Sequence, residues 1–307
     1  MLLTRKLLLG ALLWGSALGA WAQTQQLVVL GVAQDAGYPQ VGASHEFTAV
    51  ELGMRTRQKV VALGVVDEQA QQKFLLEATP DLPAQLAALN AYWPTPSTVP
   101  TGIFLTHGHL GHYTGLLYLG REGLGASQVP VYAMPRMASL LTANAPWSQL
   151  VALRNIELRP LAAGQPLVLN PKLRITPFAV PHRDEFTETV GFEIQGAHKK
   201  AVFIPDIDKW DKWPQSLPDV IRRADYVLLD GTFYRNGEIA RDMAEVPHPF
   251  VEETLRLLAA LPPPQRAKVY FIHLNHTNPL LNPDSPERRE VRRLGFRVAE
   301  EGLELDL

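Results

Sequence analysis

Thr106-His107-Gly108-His109-Leu110-Gly111-His112 is the stretch on which the reading of this chain turns. It directly follows Gly102-Ile103-Phe104-Leu105, an apolar run that reads as a buried strand. Three imidazoles therefore fall within six residues at the end of a core strand. A loop there can turn them toward one point, and neutral imidazole is a common ligand for zinc and related ions. The competing reading is a polar surface loop with scattered histidines. The chain has only 9 histidines in 307 residues, so their crowding behind a core strand favours the site.

Further along, the same arrangement recurs. His182 closes Phe178-Ala179-Val180-Pro181-His182, Asp206 closes Phe203-Ile204-Pro205-Asp206, and His273 closes Tyr270-Phe271-Ile272-His273. Each lies at the C-terminal end of an apolar strand, as a site at one edge of a β-sandwich requires. Short apolar runs predict strands over residues 27–32, 59–63, 74–77, 103–106, 129–133, 173–180, 190–195, 201–204, 226–229 and 269–274, with a final pair near 296–298 and 303–305. Helical patterns fall at 82–91, with Asp81 as N-cap, and at 135–143, 218–224, 250–260 and 286–294. Strands separated by helices predict an αββα sandwich of two mixed sheets. The proline clusters at 93–100 and 261–264 read as connectors, leaving one domain over 23–307.

Apolar residues make up 46% of the chain, enough for a sizeable core. A net charge of −2 gives no footprint for nucleic acid. Cysteine is absent, so the fold has no disulfides and a metal would be held by nitrogen and oxygen. At the start, Arg5 and Lys6 precede an apolar run over 7–13, then small residues and Ala20-Trp21-Ala22. This is the pattern of a secretory signal peptide over 1–22, cleaved after Ala22. The run is shorter than the ~20 residues of a spanning helix, so no stable membrane insertion is expected after its removal. The mature chain would hold 27 basic and 31 acidic side chains, and a periplasmic or secreted address is expected.

The histidine run resembles the H-x-H-x-D-H motif of the metallo-β-lactamase superfamily, and the resemblance continues in order through His182, Asp206 and His273. It implies His107, His109 and His182 as ligands of one ion, Asp206 as a bridging carboxylate, and His273 as the last active-site histidine. A nearer resemblance is to the coenzyme PQQ biosynthesis protein B branch. Gly31-Val32-Ala33-Gln34-Asp35-Ala36-Gly37-Tyr38-Pro39-Gln40 is similar to its N-terminal signature, and residues 225–232 are similar to its later strand and turn. Arg241-Asp242-Met243 followed by His248, and His273-Leu274-Asn275-His276-Thr277-Asn278-Pro279, are similar to two further segments. Related phosphodiesterases carry a histidine before a late helix, which implies His248 as a ligand of a second metal. Two departures stand out. Gly111 occupies the position of the usual second-metal Asp, so a second site would be weakened or rebuilt, for example from His112, His248 and Asp206. The branch also commonly lacks the first histidines and is cytoplasmic, whereas this chain has them and a signal pattern.

The implied cofactor is one or two Zn²⁺ ions, with Mn²⁺ or Fe²⁺ as alternatives. A cation held by three neutral imidazoles keeps its charge and lowers the pKa of bound water from about 15.7 toward ~7. The expected function is therefore metal-dependent hydrolysis of a small-molecule ester, lactone, phosphodiester or amide by metal-bound hydroxide. Asp206, His248 and His273 would be the residues that orient water, stabilise charge or protonate a leaving group. An iron and oxygen enzyme related to quinone-cofactor synthesis, and a non-catalytic ligand carrier on the same fold, are the alternatives. Around this set, Asp35 reads equally as a site-lining residue or a turn aspartate, and Asp230 slightly more as a turn residue. Glu77 reads as a support behind the ligands. Asn275, Thr277 and Asn278 would fix the loop after His273, and His276 would either line the pocket or replace an amide in that loop. Trp210 and Trp213 would pack a short helical turn rather than wall a substrate, and His45 and His198 would be exposed.

Overall fold

The computed structural model describes residues 25–94, 97–243 and 245–307. The expected signal segment and its cleavage point lie outside the described residues. From Gln25 the chain forms β1 (Gln25–Gly31), α1 (Ser44–Glu51), β2 (Ala62–Asp67), β3 (Gln72–Leu76), α2 (Leu82–Tyr92) and β4 (Gly102–Phe104). A short helix α3 (Leu110–Tyr113) follows, then β5 (Val129–Ala133), α4 (Pro135–Ala143), α5 (Trp147–Ala152) and β6 (Ile156–Pro160). The second half holds β7 (Leu167–Asn170), β8 (Leu173–Ala179), β9 (Val190–Gln195), β10 (Lys200–Ile204), α6 (Leu217–Arg223) and β11 (Tyr226–Asp230). It closes with α7 (Val251–Leu257), α8 (Pro263–Arg266), β12 (Val269–Ile272), α9 (Pro286–Arg293), β13 (Arg297–Val298) and β14 (Glu304–Asp306).

Two seven-stranded sheets result, ordered β14-β1-β2-β3-β4-β5-β6 and β13-β12-β11-β10-β9-β8-β7. Both are mixed. β1, β2, β3 and β14 pair antiparallel, and β3 to β6 pair parallel. In the second sheet β7 to β10 are antiparallel and β10 to β13 parallel. Alternation along β1 shows how the layers stack. Leu27 and Val29 enter the core between the sheets, with Phe104, Phe192 and Phe203. Val28 and Leu30 face the other way, into a layer with Leu82, Leu89, Met137 and Leu141 of the covering helices. This is the expected αββα sandwich.

The strand that carries the histidine run is anchored by aromatic packing. Phe104 is fully buried, stacks on Tyr132 at 4.4 Å and meets Phe192 edge-on at 5.8 Å. Truncating such a ring to alanine costs about 3–5 kcal/mol, so the start of the loop is firmly placed.

Some expected boundaries moved. The segment 59–61 makes only an isolated bridge, Val60 to Ala33, and continuous pairing starts with β2 at Ala62, where β1 and β2 shift register between Val29 and Gly31. Asp81 is the N-cap residue of α2 as expected, but its side chain makes no capping hydrogen bond; the carboxylate accepts instead from Val60 N–H at 2.9 Å. The last two strands do not pair with each other but edge different sheets. The connector at 261–264 runs into the single helical turn α8. No helix among the described residues is long and apolar enough to cross a membrane.

Candidate metal centre

The parallel register sets the site. Ile204 is level with Leu229, and Asp230 with Ile272. The residues just beyond these strands, Asp206 and His273, therefore stand beside Asp230 at one edge of the second sheet. The first sheet delivers His107, His109 and His112 after β4, and Glu77 after β3; β8 delivers His182. Gly108 lets this loop lie against Thr187, whose hydroxyl accepts its N–H at 2.8 Å. Glu77 and His273 both adopt left-handed backbone, with φ of 79° and 62°. Non-glycine residues held there by their surroundings cluster at functional sites.

Three overlapping groups of donors result. His107, His109, His182 and Asp206 each offer an atom within 4.8 Å of the others. Asp206, Asp230, His248 and His273 form a second such group, and Asp35, His112 and His273 a third. Asp206 is the hub: its carboxylate lies 3.2 Å from His182 Nε2, 3.3 Å from His107 Nε2, 3.2 Å from His248 Nδ1, and 3.7 and 3.9 Å from His112 and His273 Nε2. The structure thus brings every sequence-predicted site residue into one constellation.

Hydrogen bonds behind the constellation orient the rings. Asp230 accepts from Ile207 N–H, Thr232 N–H and the Thr232 hydroxyl, the last at 2.7 Å. With its proton given to Asp230, the Thr232 oxygen accepts from His273 Nδ1–H at 2.8 Å. That leaves the His273 lone pair on Nε2, facing the centre. His248 Nδ1–H donates to Asp230 at 2.8 Å. His112 Nδ1 faces the fully buried Glu77 at 3.3 Å, again turning Nε2 inward. Carboxylate and hydroxyl partners of this kind fix tautomer and ring orientation for metal binding.

The centre fits a divalent cation. Asp206 Oδ1, Asp35 Oδ1 and the Nε2 atoms of His112 and His273 are buried without a hydrogen-bond partner. Leaving such groups unpaired costs about 1–3 kcal/mol each, and a cation at their convergence would satisfy them. Electrostatics agree for four of the rings; for His112 burial opposes charge, but the Glu77 and Asp35 carboxylates outweigh it and raise the ring well above the usual histidine value. Burial first, then the neighbouring imidazoles, hold His107 and His182 far below the usual histidine value, and burial holds His273 at about 3. Burial followed by the Arg183 charge lowers His109. Four ring nitrogens are thus in the neutral form that ligation requires. Burial pushes the Asp206 carboxyl up to about 8. For His248, burial opposes charge, but the Asp230 and Asp206 carboxylates outweigh it and raise the ring to about 9.

Beside His248 a cleft of about 550 Å³ opens, lined in part by Gln34, Arg183, Phe233, Arg241, Asn275 and His276. His276 therefore reaches the pocket, and its Nδ1 meets the buried Glu46 at 2.7 Å. Asn275 accepts from Thr277, and Asn278 caps the turn that follows, so both fix the loop behind His273. Trp213 packs in the core and Trp210 donates to Thr254, so neither walls the cleft. His45 and His198 are exposed. Asp230, which reads slightly more as a turn residue, is fully buried at the heart of the network. Its signal was the one that found Asp206, an acid ending an apolar strand. Thr232 carried no comparable signal.

A family model described as the beta-lactamase superfamily domain matches residues 72–274, from β3 to the residue after His273. The chain belongs to that superfamily. Within it, the chain is similar to the coenzyme PQQ synthesis protein B of Xanthomonas euvesicatoria pv. vesicatoria (strain 85-10), at 29% identity over 92% of this chain and all of that one. Among solved structures it resembles Zn²⁺-bound PqqB from Methylobacterium extorquens, with 25% identity, a TM-score of 0.75, and 92% and 100% of the two chains covered. It also shares its fold with a diphosphatase of the PhnP family, at 21% identity and a TM-score of 0.63 over 92% of this chain and 97% of that one.

Proposed function

We propose that this chain is a metal-dependent hydrolase of a small molecule bearing an ester, lactone, phosphodiester or amide bond. The observation that carries the reading is the convergence of His107, His109, His182 and Asp206 within 4.8 Å, with neutral imidazoles and an orphaned carboxylate oxygen. Zinc, bound in the similar PqqB structure, is the leading cation, with manganese or iron as alternatives. When bound, such an ion supplies Lewis acidity, polarising a substrate oxygen and acidifying water.

The protein's own groups do the rest. Asp206 sits where it can orient the attacking water. His248 is raised by the carboxylates it faces and clamped by Asp230, so it can protonate a leaving group. Arg183 and Arg241 line the adjoining cleft and favour negative charge on the substrate or developing in the transition state. The signal pattern over 1–22 supports action outside the cytoplasm.

A second reading rests on the similarity to coenzyme PQQ synthesis protein B: an iron-dependent oxidative step on the same ligand shell. Metal analysis of the purified protein, combined with a panel of ester, lactone, phosphodiester and amide substrates and with oxygen-uptake measurements, separates the two. Zinc or manganese with turnover of one panel member is expected. Iron with oxygen uptake overturns hydrolysis in favour of the second reading, and tight ligand retention without turnover points to a carrier.

A further inference from the structure

The loop after β1 passes unusually close to the histidine loop. A Cβ built on Gly111 would lie 2.5 Å from the Asp35 Cα, 2.5 Å from its Oδ1 and 3.2 Å from its backbone N. Separations below 3.0 Å are not tolerated between such atoms, so a side chain at 111 and the present Asp35 cannot coexist. Asp35 occupies the volume into which residue 111 would otherwise project.

What Asp35 does there is visible from its neighbours. Its Oδ1 is 3.4 Å from His112 Nε2, and Asp35, His112 and His273 offer donor atoms all within 4.8 Å of one another. Both rings are completely buried, and their Nε2 atoms, like Asp35 Oδ1, have no hydrogen-bond partner. On the far side of each ring, Glu77 Oε1 lies 3.3 Å from His112 Nδ1 and the Thr232 hydroxyl accepts from His273 Nδ1–H, so the two Nε2 atoms are aimed into the gap that Asp35 borders. The loop is itself fixed. Ala33 bridges to Val60 and Leu274, Gln34 N–H donates to Leu274 O at 2.9 Å, and the Asn275 amide holds the Gln34 side chain.

We propose that Asp35, from the loop after β1, takes the place of the second-metal carboxylate that Gly111 cannot supply, completing a divalent-cation site with His112 and His273, with the Asp206 carboxylate between it and the first. Its carboxylate comes from the N-terminal loop rather than from the histidine loop, and Gly111 is required because it admits that carboxylate. An oxygen and two imidazole nitrogens suit zinc or manganese. The assignment rests on the metal-centre reading above and adds a ligand that the histidine run does not contain. It also takes the second ion away from His248, whose Nδ1 is spent on Asp230, and leaves that ring free for proton transfer.

The test is metal stoichiometry, independent of activity. The purified protein is stripped with chelator, dialysed against graded free Zn²⁺, and its bound metal measured alongside calorimetric titration. The wild type is expected to bind two ions. Asp35→Asn keeps shape and loses charge, and is expected to bind one, the other weakened about 100-fold or more. The exchange variant Asp35→Gly/Gly111→Asp, which returns a carboxylate to the same volume from the other loop, is expected to recover the second ion. An Asp35→Asn protein whose apo form melts with the wild type but still binds two ions at unchanged affinity overturns the assignment while leaving the hydrolase reading intact. So does a wild type that binds a single ion. A wild type that binds none overturns both.

Discussion

The Thr232 hydroxyl touches three ionisable groups at once, at 2.7 Å from Asp230, 2.8 Å from His273 and 3.1 Å from His248. Thr232→Val keeps the shape and removes that junction. Asp230 and His273 Nδ1 would then be buried with a partner missing, at about 1–3 kcal/mol. The expected result is a lower urea midpoint together with Zn²⁺ affinity weakened about 10–100-fold, read by chelator competition; an unchanged affinity would show that Thr232 does not set the His273 tautomer. Glu77→Gln tests the same logic at His112. Its carboxylate lies 3.3 Å from Nδ1, and the amide is expected to weaken metal binding by a similar factor while folding is kept; retention of full affinity would remove Glu77 from the centre. These supports differ in how far the sequence revealed them. His107, His109 and His112 are legible as three imidazoles crowded behind a core strand, and His182, Asp206 and His273 because a polar residue closes an apolar run. Asp230 shares that mark, but Asp-Gly-Thr is also an ordinary turn, and only burial separates the two readings. Thr232 and Asp35 matter through contacts with residues 41 and 77 positions away, which no local pattern encodes.

Strands that bury both faces are the readable elements: β4, β10, β11 and β12 carry continuous apolar runs. The missed ones are edges and surface pieces. β6 exposes most of its residues, β7 buries none of its four fully, and α1 buries only Glu46, so none of them carries a periodic apolar stripe. The start of β2 was misplaced for a different reason. Gly31 lies so tightly against the chain at residue 60 that a Cβ there would be 1.9 Å from the Val60 carbonyl oxygen, and the register shift at this point delays strand pairing to Ala62. That close approach also aims the loop bearing Asp35. Gly31→Ala must push β1 from the 59–61 segment, an overpacking cost of about 1–3 kcal/mol. A fall in Tm on the order of 5 °C is expected, with Zn²⁺ retention by the first group of ligands largely kept. A variant that melts with the wild type would mean that β1 has slack which the geometry does not show.

The centre is the place where the two sheets are tied. β1, β3 and β4 of one sheet and β8, β10, β11 and β12 of the other all end there, and between the sheets lies an apolar core that exerts no directional hold on this edge. In the absence of a cation the edge carries orphaned donors and a buried carboxylate next to neutral imidazoles. A ligand that binds only the folded state adds RT ln(1 + [L]/Kd), about 2.7 kcal/mol at a hundredfold excess over Kd. Metal removal is therefore expected to lower Tm, and re-addition of Zn²⁺ to restore it in a concentration-dependent way. The loss should also be local, since opening free energies differ across a structure. Hydrogen exchange should accelerate at the loops following β4, β8 and β10, at residues 105–112, 180–189 and 205–209, while the β2–β3 and β8–β9 ladders keep their protection. Uniform acceleration across both sheets would mean that the cation stabilises the fold globally instead of pinning this edge, and no change at all would mean that the strand ends hold their positions without it.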